Sequence, residues 1–448
     1  GVRFRQRRTA DAVRLATEYS QRAPFDTLGW QLLASSHYLA GNTRRALGAW
    51  NRIGQPRIDL LRIDGSSHAR FRELAASLDM PAGGLLTPKR YALARRRIAD
   101  VPSLSRARVD YTIVDDGVAE VRAAVVERPV IAPLRQLLVR GAVDAAIRRD
   151  ASLTLFSPLG FGESWSAQWR WQSADPRVAV RLSIPARIGI PTVVRLERSW
   201  ETYRFSAGLA EEQRSVAAVN LAGWTHPLVD VLLGARLENW SDRGENIVAS
   251  GGVGLHDTDD HVALLIEGER AVAREGGTPY DRLRWRGLWT PPADRWRNTW
   301  SLRIGTDWTS ATTPLGLQPL AAGDLGRDIP LRAHPYIIDG ALPSRRIARA
   351  ITHGGVSADR AVGSRGPLTL AAGIFLDAAH LMSAADGLPR ARTYLDAGAG
   401  VRIGTSASSW SAVRIDVARG LLSDRRWGIS AGLAPQWPAR LGRARDRR

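Results

Sequence analysis

Residues 296–308 read Trp-Arg-Asn-Thr-Trp-Ser-Leu-Arg-Ile-Gly-Thr-Asp-Trp. In an extended chain Trp296, Asn298, Trp300, Leu302, Ile304, Thr306 and Trp308 share one face, while Arg297, Thr299, Ser301, Arg303, Gly305 and Asp307 share the other. Side chains alternate across a strand, so one face is apolar with aromatics at both ends and the other is charged. A soluble sheet packs its strands into a dry core, which would not accept closely spaced arginines. A transmembrane barrel takes both faces: lipid covers the apolar one, a wet lumen receives the charged one, and aromatics sit at the interfaces.

The same division recurs along the chain. Trp165, Ala167, Trp169 and Trp171 oppose Ser166, Gln168 and Arg170; Leu283, Trp285 and Trp289 oppose Arg282, Arg284 and Arg286; Val413, Ile415 and Val417 oppose Ala412, Arg414 and Asp416. Arg282, Arg284, Arg286, Arg297 and Arg303 are thereby expected to line the lumen. Of the 16 Trp, only Trp30 and Trp50 precede residue 150, which places a boundary there. Residues 151–437, at roughly eighteen residues per strand and connection, predict an antiparallel barrel of about sixteen strands. A helical linker is expected over 130–150, and a basic tail over 438–448.

Composition narrows the function. The 448 residues carry 63 Lys plus Arg against 44 Asp plus Glu, a net +19, and no Cys, which excludes disulfides and thiolate metal sites. No run of about eighteen apolar residues marks a membrane helix. Lys89 is the only lysine, so the basicity reads as a compositional bias; with no nucleic-acid motif, no nucleic-acid partner is expected. The chain starts at Gly1 without an apolar signal segment, so an export signal is expected to have been removed or to lie outside this sequence. Without Cys the common structural zinc sites are not available to the 8 His, and neither a Gly-x-Ser-x-Gly elbow nor a Gly-x-x-x-x-Gly-Lys loop occurs. Gly251-Gly252-Val253-Gly254 reads as strand or turn glycines, and Glu267 with Glu269 as two lumen residues. No enzyme activity, metal or cofactor is expected.

Before residue 150 helical periodicity dominates. Ala12 and Ala46, Ala16 and Trp50, and Tyr19 and Ile53 lie thirty-four residues apart on an apolar helical face. With Trp30, Leu33, Ala34, Gly41, Ala46 and Trp50, this resembles a tetratricopeptide repeat, and residues 1–56 are read as the end of an array or a docking cap. Residues 57–64 alternate as a strand, 67–78 carry helical spacing, and Thr87 with Pro88 caps a second helix. Two strands over 107–114 and 118–127, joined by Asp115-Asp116-Gly117, complete the order strand, helix, helix, strand, strand. That order, with LTPKRYALARRRIADVPSLSRARVDY and VRAAVVERP, makes 57–129 resemble a POTRA domain, a periplasmic module of the BamA/TamA superfamily.

The C-terminal third resembles the barrel of the same superfamily. DIPLRAHPYIIDGAL is similar to its inward-folded loop, with Leu331, Arg332, Ala333 and His334 at the motif; Ala and His stand where that loop has Gly and an aromatic. GIFLDAAHL resembles its Phe-x-Asp-x-Gly strand, with Phe375 and Asp377 matching and Ala379 in place of Gly. The resemblance implies that Arg332, inside the lumen, pairs with Asp377 on the wall. It also implies a weak seam between a strand near 151–156 and one near 427–437, where a client strand can pair. It further implies an outer-membrane location in a Gram-negative bacterium, with outer-membrane lipid around the barrel, unfolded polypeptides as clients and periplasmic N-terminal domains that receive a protein partner. The function expected is insertion or translocation of polypeptides. The alternatives are a polysaccharide-export pore, which an arginine-lined lumen would suit, and a passive surface receptor.

Overall fold

The computed structural model describes residues 9–115, 117–133, 141–142, 144–145, 149–185, 191–205, 208–294, 298–323, 329–365, 368–384, 391–405 and 412–434. Three helices open it: α1 (Thr9–Arg22), α2 (Thr27–Leu39) and α3 (Thr43–Asn51). The Asp26 carboxylate accepts the Leu28 N–H at 3.0 Å and so caps α2. Gly41, at φ +77°, supplies the left-handed turn to α3. Next come β1 (Arg57–Asp64), α4 (Phe71–Leu78), α5 (Pro88–Ala99), β2 (Leu104–Asp115) and β3 (Val118–Glu127). These strands form a sheet in the order β1-β3-β2, with β1 parallel to β3.

The helices and this α+β segment share one core. Ala16, Leu33, Ala34, Ala46, Leu47 and Trp50 pack in the same cluster as Ile58, Leu74, Tyr91, Ile98, Tyr111 and Val121. Tyr38 stands 5.7 Å from Trp50 and 5.6 Å from Tyr111, and its hydroxyl donates to the Tyr111 carbonyl at 3.2 Å. Position 56/57 is therefore a connection inside one packed body. Helix α4 starts four residues later than the periodicity predicts. The N–H groups of Ser67, His68 and Ala69 bind the Glu127 carboxylate at 3.1, 2.8 and 2.8 Å, and that of Arg70 donates to the Gly160 carbonyl at 2.9 Å, in the non-helical turn that precedes it.

The large sheet begins with β4 (Asp150–Phe156), β5 (Ser164–Arg170), β6 (Arg177–Ile184), β7 (Thr192–Phe205) and β8 (Gly208–His226). It continues with β9 (Val229–Trp240), β10 (Gly244–His256), β11 (Val262–Arg274), β12 (Tyr280–Trp289) and β13 (Asn298–Thr309). A long connection carries the short strands β14 (Ala321–Ala322), β15 (Ile329–Pro330) and β16 (Leu342–Pro343). The wall resumes with β17 (Ala348–Arg365), β18 (Leu368–Ala384), β19 (Arg392–Thr405), β20 (Ala412–Gly420) and β21 (Trp427–Ala434). The sheet has 16 strands, matching the expected number, but one of them, β16, lies off the sequential path and pairs parallel to β7. The remaining fifteen run β4 to β13 and then β17 to β21, each antiparallel to the next. The expected seam between the first and last strands is not paired among the described residues, so the sheet is open there. The long connection between β13 and β17, residues 310–347, uses length that a further strand would need.

The described helical residues 141–142 and 144–145 lie within the linker expected over 130–150, most of which falls outside the described residues, as do Arg297 and the tail 438–448. The alternation read from 296–308 is present in β13: Trp300, Leu302, Ile304 and Trp308 face outward and exposed, while Ser301, Asp307 and Thr309 are buried inward. Apolar outside and polar inside is the inverse of a soluble fold and suits lipid. The α+β body sits on the end where the 157–163, 227–228 and 257–261 turns lie. There Arg96 donates to the Pro227 and Asp257 carbonyls at 3.1 and 2.8 Å, pairs with Asp260 and covers the Trp224 ring at 4.7 Å. The Arg70 and Ser103 N–H groups donate to the Gly160 and Gly162 carbonyls at 2.9 and 3.3 Å.

Two outcomes test this architecture. Ile304→Arg should cost about 2–4 kcal/mol of folding stability in lipid bilayers, measured by denaturant unfolding against Ile304→Leu, which should be near neutral. Burial pushes the Glu127 carboxyl up, but the N–H groups of Ala69, His68 and Ser67 with the Ser67 hydroxyl outweigh it and hold it at about 2. The stabilisation is complete above the unfolded carboxyl's ordinary value near ~4.3 and is lost as pH falls toward about 2. Amide exchange at 67–69 should lose protection over that window, and Glu127→Gln should abolish both the protection and its pH dependence.

Candidate functional site: a loop fastened across the lumen

The connection between β13 and β17 starts at the end opposite the α+β body and is tied to both walls. On the β7–β8 side, Glu212 accepts the N–H groups of Leu315 and Gly316 at 3.1 and 2.7 Å. Leu342 pairs with Tyr203, the Arg204 guanidinium donates to the Asp339 carbonyl at 2.7 Å, and the Tyr336 hydroxyl donates to Asp175 at 3.1 Å. Tyr203, Leu320, Tyr336, Leu342 and Ile347 form an apolar cluster with Ala174 and Ala322. This side holds the loop by packing and backbone bonds.

On the β18–β21 side the hold is ionic. Arg332 Nε lies 2.9 Å from Asp377 Oδ2 and its Nη2 3.3 Å from Oδ1, a two-point contact, while Nη1 lies 3.5 Å from Asp416. The guanidinium carbon stands 3.6 Å from the centre of the Phe375 ring, which covers it. Asp377 points inward because β18 alternates, placing Phe375, Asp377, Ala379 and Leu381 on the lumen face. Leu331 is fully buried with Ala379, Leu381, Ile351 and Tyr394. The Ala333 N–H donates to Asp396 at 2.8 Å, and His334 Nδ1 lies 3.1 Å from the same carboxylate, its ring edge-on to Tyr394 at 5.1 Å. The structure thus brings Leu331, Arg332, Ala333, His334, Phe375, Asp377 and Ala379 to one place.

Ala333 and His334 replace the small and aromatic residues of the motif that the loop resembles, and the wall opposite them is correspondingly small. A Cβ at Gly428 would lie 2.6–2.8 Å from Ala333 backbone atoms, and one at Gly420 3.3 Å from the His334 ring. Asp396, Gly420 and Gly428 were not singled out from the sequence, and Asp416 was placed only on the polar face of its strand. The inward aspartates were legible as polar breaks in apolar strands, but which loop they would meet was not.

The remaining basic residues occupy another part of the wall. Arg284 lies 3.4 Å from Glu267 and 3.1 Å from Glu269, Arg282 3.9 Å from Glu269, and Arg286 3.3 Å from Asp307. Arg303 faces inward on β13 beside them, and Arg236 adds contacts to Glu238 at 2.5 Å and Glu269 at 2.9 Å. The arginines at 282, 284 and 286 are thus engaged with carboxylates, and do not form the open cationic ladder that an anionic polymer would follow.

No protein-family model matches the sequence, and no curated protein was found similar to it. Among solved structures, CdiB from Escherichia coli aligns at TM-score 0.56 and 12% identity over 84% of this chain and 75% of that one. CdiB from Acinetobacter baumannii aligns at 0.53 and 10% over 84% and 73%. BamA from Haemophilus ducreyi lacking POTRA domains 1–3 aligns at 0.50 and 12% over 84% and 85%. The chain shares the barrel fold of these BamA and CdiB structures.

Arg332→Ala leaves Asp377 buried without its main partner and should cost about 3–5 kcal/mol. Replacing both, Arg332→Leu with Asp377→Leu, should recover most of that loss; denaturant unfolding of the four-member cycle in detergent micelles measures it.

Proposed function

We propose that this chain is an outer-membrane protein that inserts or translocates polypeptides. The observation that carries the reading is the combination of a seam where, among the described residues, β4 and β21 do not pair with each other, and a loop fastened across the lumen. A strand edge facing lipid is a template for another strand, and a fixed loop holds the wall beside that edge in shape. Gly428, against which Ala333 rests, is on the last strand, so the loop supports the seam itself. The energy comes from client folding and burial in lipid, without catalysis, metal or nucleotide.

On this reading residues 57–129 act as a POTRA-like module and 1–56 as a tetratricopeptide-like cap, both periplasmic, together receiving clients or a periplasmic protein partner. A polysaccharide-export pore fits less well, because the loop crosses the lumen and Arg282, Arg284 and Arg286 are paired. A passive receptor has no use for an open seam.

Depletion of the protein, followed by quantitative outer-membrane proteomics beside a surface-polysaccharide assay, decides between these. Loss of a defined set of barrel or secreted proteins is the expected result. An unchanged proteome with lost polymer would overturn it in favour of the export pore.

A further inference from the structure

Register arranges the lipid face of β6–β11 in rows. Toward the end opposite the α+β body, Val178, Arg198, Ser215, Asn239, Glu245 and Arg274 stand side by side, one on each strand. Two residues nearer the body, Val180, Leu196, Ala217, Leu237, Ile247 and Val272 make the next row. Both rows point outward, because the residues between them, Glu197, Val216, Glu238 and Asn246, are buried on the lumen side. The second row is wholly apolar and all but Val178 in the first are polar, so the edge of the hydrocarbon lies between them.

The wall is furrowed where these rows cross β8. Ser215 sits between Arg198 and Asn239, and Ala217 between Leu196 and Leu237, so short side chains leave a trough with longer ones on both banks. The trough is a cavity of about 670 Å³ lined in part by Val180, Leu196, Arg198, Ala217 and Leu237. A second cavity, of about 450 Å³, is lined in part by Ser173, Trp200, Thr202, Glu211 and Gln213. Trp200 pairs with Gln213 and Thr202 with Glu211, the two outward steps that follow Arg198 and Ser215. The cavities therefore succeed one another along β7 and β8, one beside the hydrocarbon and one beyond it, with Arg198 at their junction. Arg198 is exposed, its guanidinium carbon stands 5.3 Å from the centre of the Trp200 ring, and no carboxylate pairs with it among the described residues. The inward arginines nearby are all engaged: Arg195 and Arg177 with Glu197, and Arg214 with Glu238.

We propose that this furrow binds a phosphorylated, acylated saccharide of the surrounding leaflet, the chemistry of lipid A. An acyl chain lies along Ala217 between Leu196 and Leu237, where the wall is apolar and borders hydrocarbon. A phosphate accepts from the Arg198 guanidinium, which has no anion of its own in the protein. The sugar fills the second cavity against the Trp200 ring, and its hydroxyls reach Gln213 and Glu211, an amide that both donates and accepts and a carboxylate that accepts. A glycerol phospholipid has the chain and the phosphate but no ring to fill the second cavity. The proposal rests on the outer-membrane placement of the barrel, and not on the insertase or translocase reading.

The test is titration of the full-length protein in detergent micelles with purified lipid A, read by native mass spectrometry. A saturable one-to-one adduct is expected, with phosphatidylglycerol a much weaker competitor. Arg198→Ala removes one charge-assisted contact and should weaken binding about tenfold. Ala217→Phe fills the trough and should weaken it at least as much. Arg419→Ala is the control: Arg419 is also exposed and outward, 5.5 Å from the Trp427 ring, but lies on β20 and lines neither cavity, so its loss should leave binding unchanged. All three side chains face away from the packed interior, and heat-modifiable gel mobility checks that each variant is folded. Absence of a saturable adduct overturns the site, as does wild-type binding by Arg198→Ala or Ala217→Phe. Equal competition by phosphatidylglycerol, or an equal loss in Arg419→Ala, means only an unspecific shell of anionic lipid and overturns it too. Density-gradient fractionation of cell envelopes tests the outer-membrane placement separately. Since binding is measured on purified protein, a site that fails leaves the placement and the proteome result standing, and an unchanged proteome leaves the site standing.

Discussion

Hydrocarbon offers no hydrogen bonds, and that single fact governs this molecule. Every N–H and C=O inside the membrane has to find a partner within the protein, which restricts the spanning part to a sheet closed on itself or nearly so. Strands in such a sheet expose one face to lipid and the other to the lumen, so polar groups collect inside. There they meet one another at low dielectric and pair, as Arg284 does with Glu267 and Glu269, and Arg286 with Asp307. The interior of the wall is a lattice of ion pairs because the exterior cannot hold any.

The loop between β13 and β17 uses that interior. Its apolar half packs on Tyr203 and Ala174, while its charged tip enters the aspartates of β18, β19 and β20. Buried ion pairs of this kind add little net stability, since desolvation offsets attraction, but breaking one is costly, so they specify a position. Arg332 acts as a register pin, and Phe375 keeps water from it. The small residues that the tip requires are shared between Ala333 and the facing Gly428 and Gly420.

Closure is where the constraint is incompletely met. Among the described residues the sequential path is odd and leaves two edges of the same sense, and the two-residue pairing of Val130 and Ile131 covers one end of one edge. The α+β body fastens the turns after β4, β8 and β10 through Arg70, Arg96 and Ser103, so it steadies the first edge, whereas the last edge is steadied from inside by Ala333. The two sides of the seam are thus held by different parts of the chain.

Much of this was written in local pattern. The two-residue alternation of Trp300, Leu302 and Ile304 against Ser301, Arg303 and Asp307 determined strand, face and membrane together, because period and polarity are properties of neighbours in sequence. Thr87 with Pro88 likewise marked the start of α5, and the thirty-four-residue spacing of Ala12 and Ala46 marked two buried positions. Tertiary structure decided what depends on groups far apart in the chain. It merged the first helices with the α+β segment through Tyr38 and Tyr111, and gave residues 67–69, before α4, a turn whose N–H groups bind Glu127, some sixty residues away. It also chose Asp396 and Asp416 as companions of the loop tip, and left the described path of strands odd. Parity and partner choice are sums over the whole sheet, and no window of the sequence contains the sum.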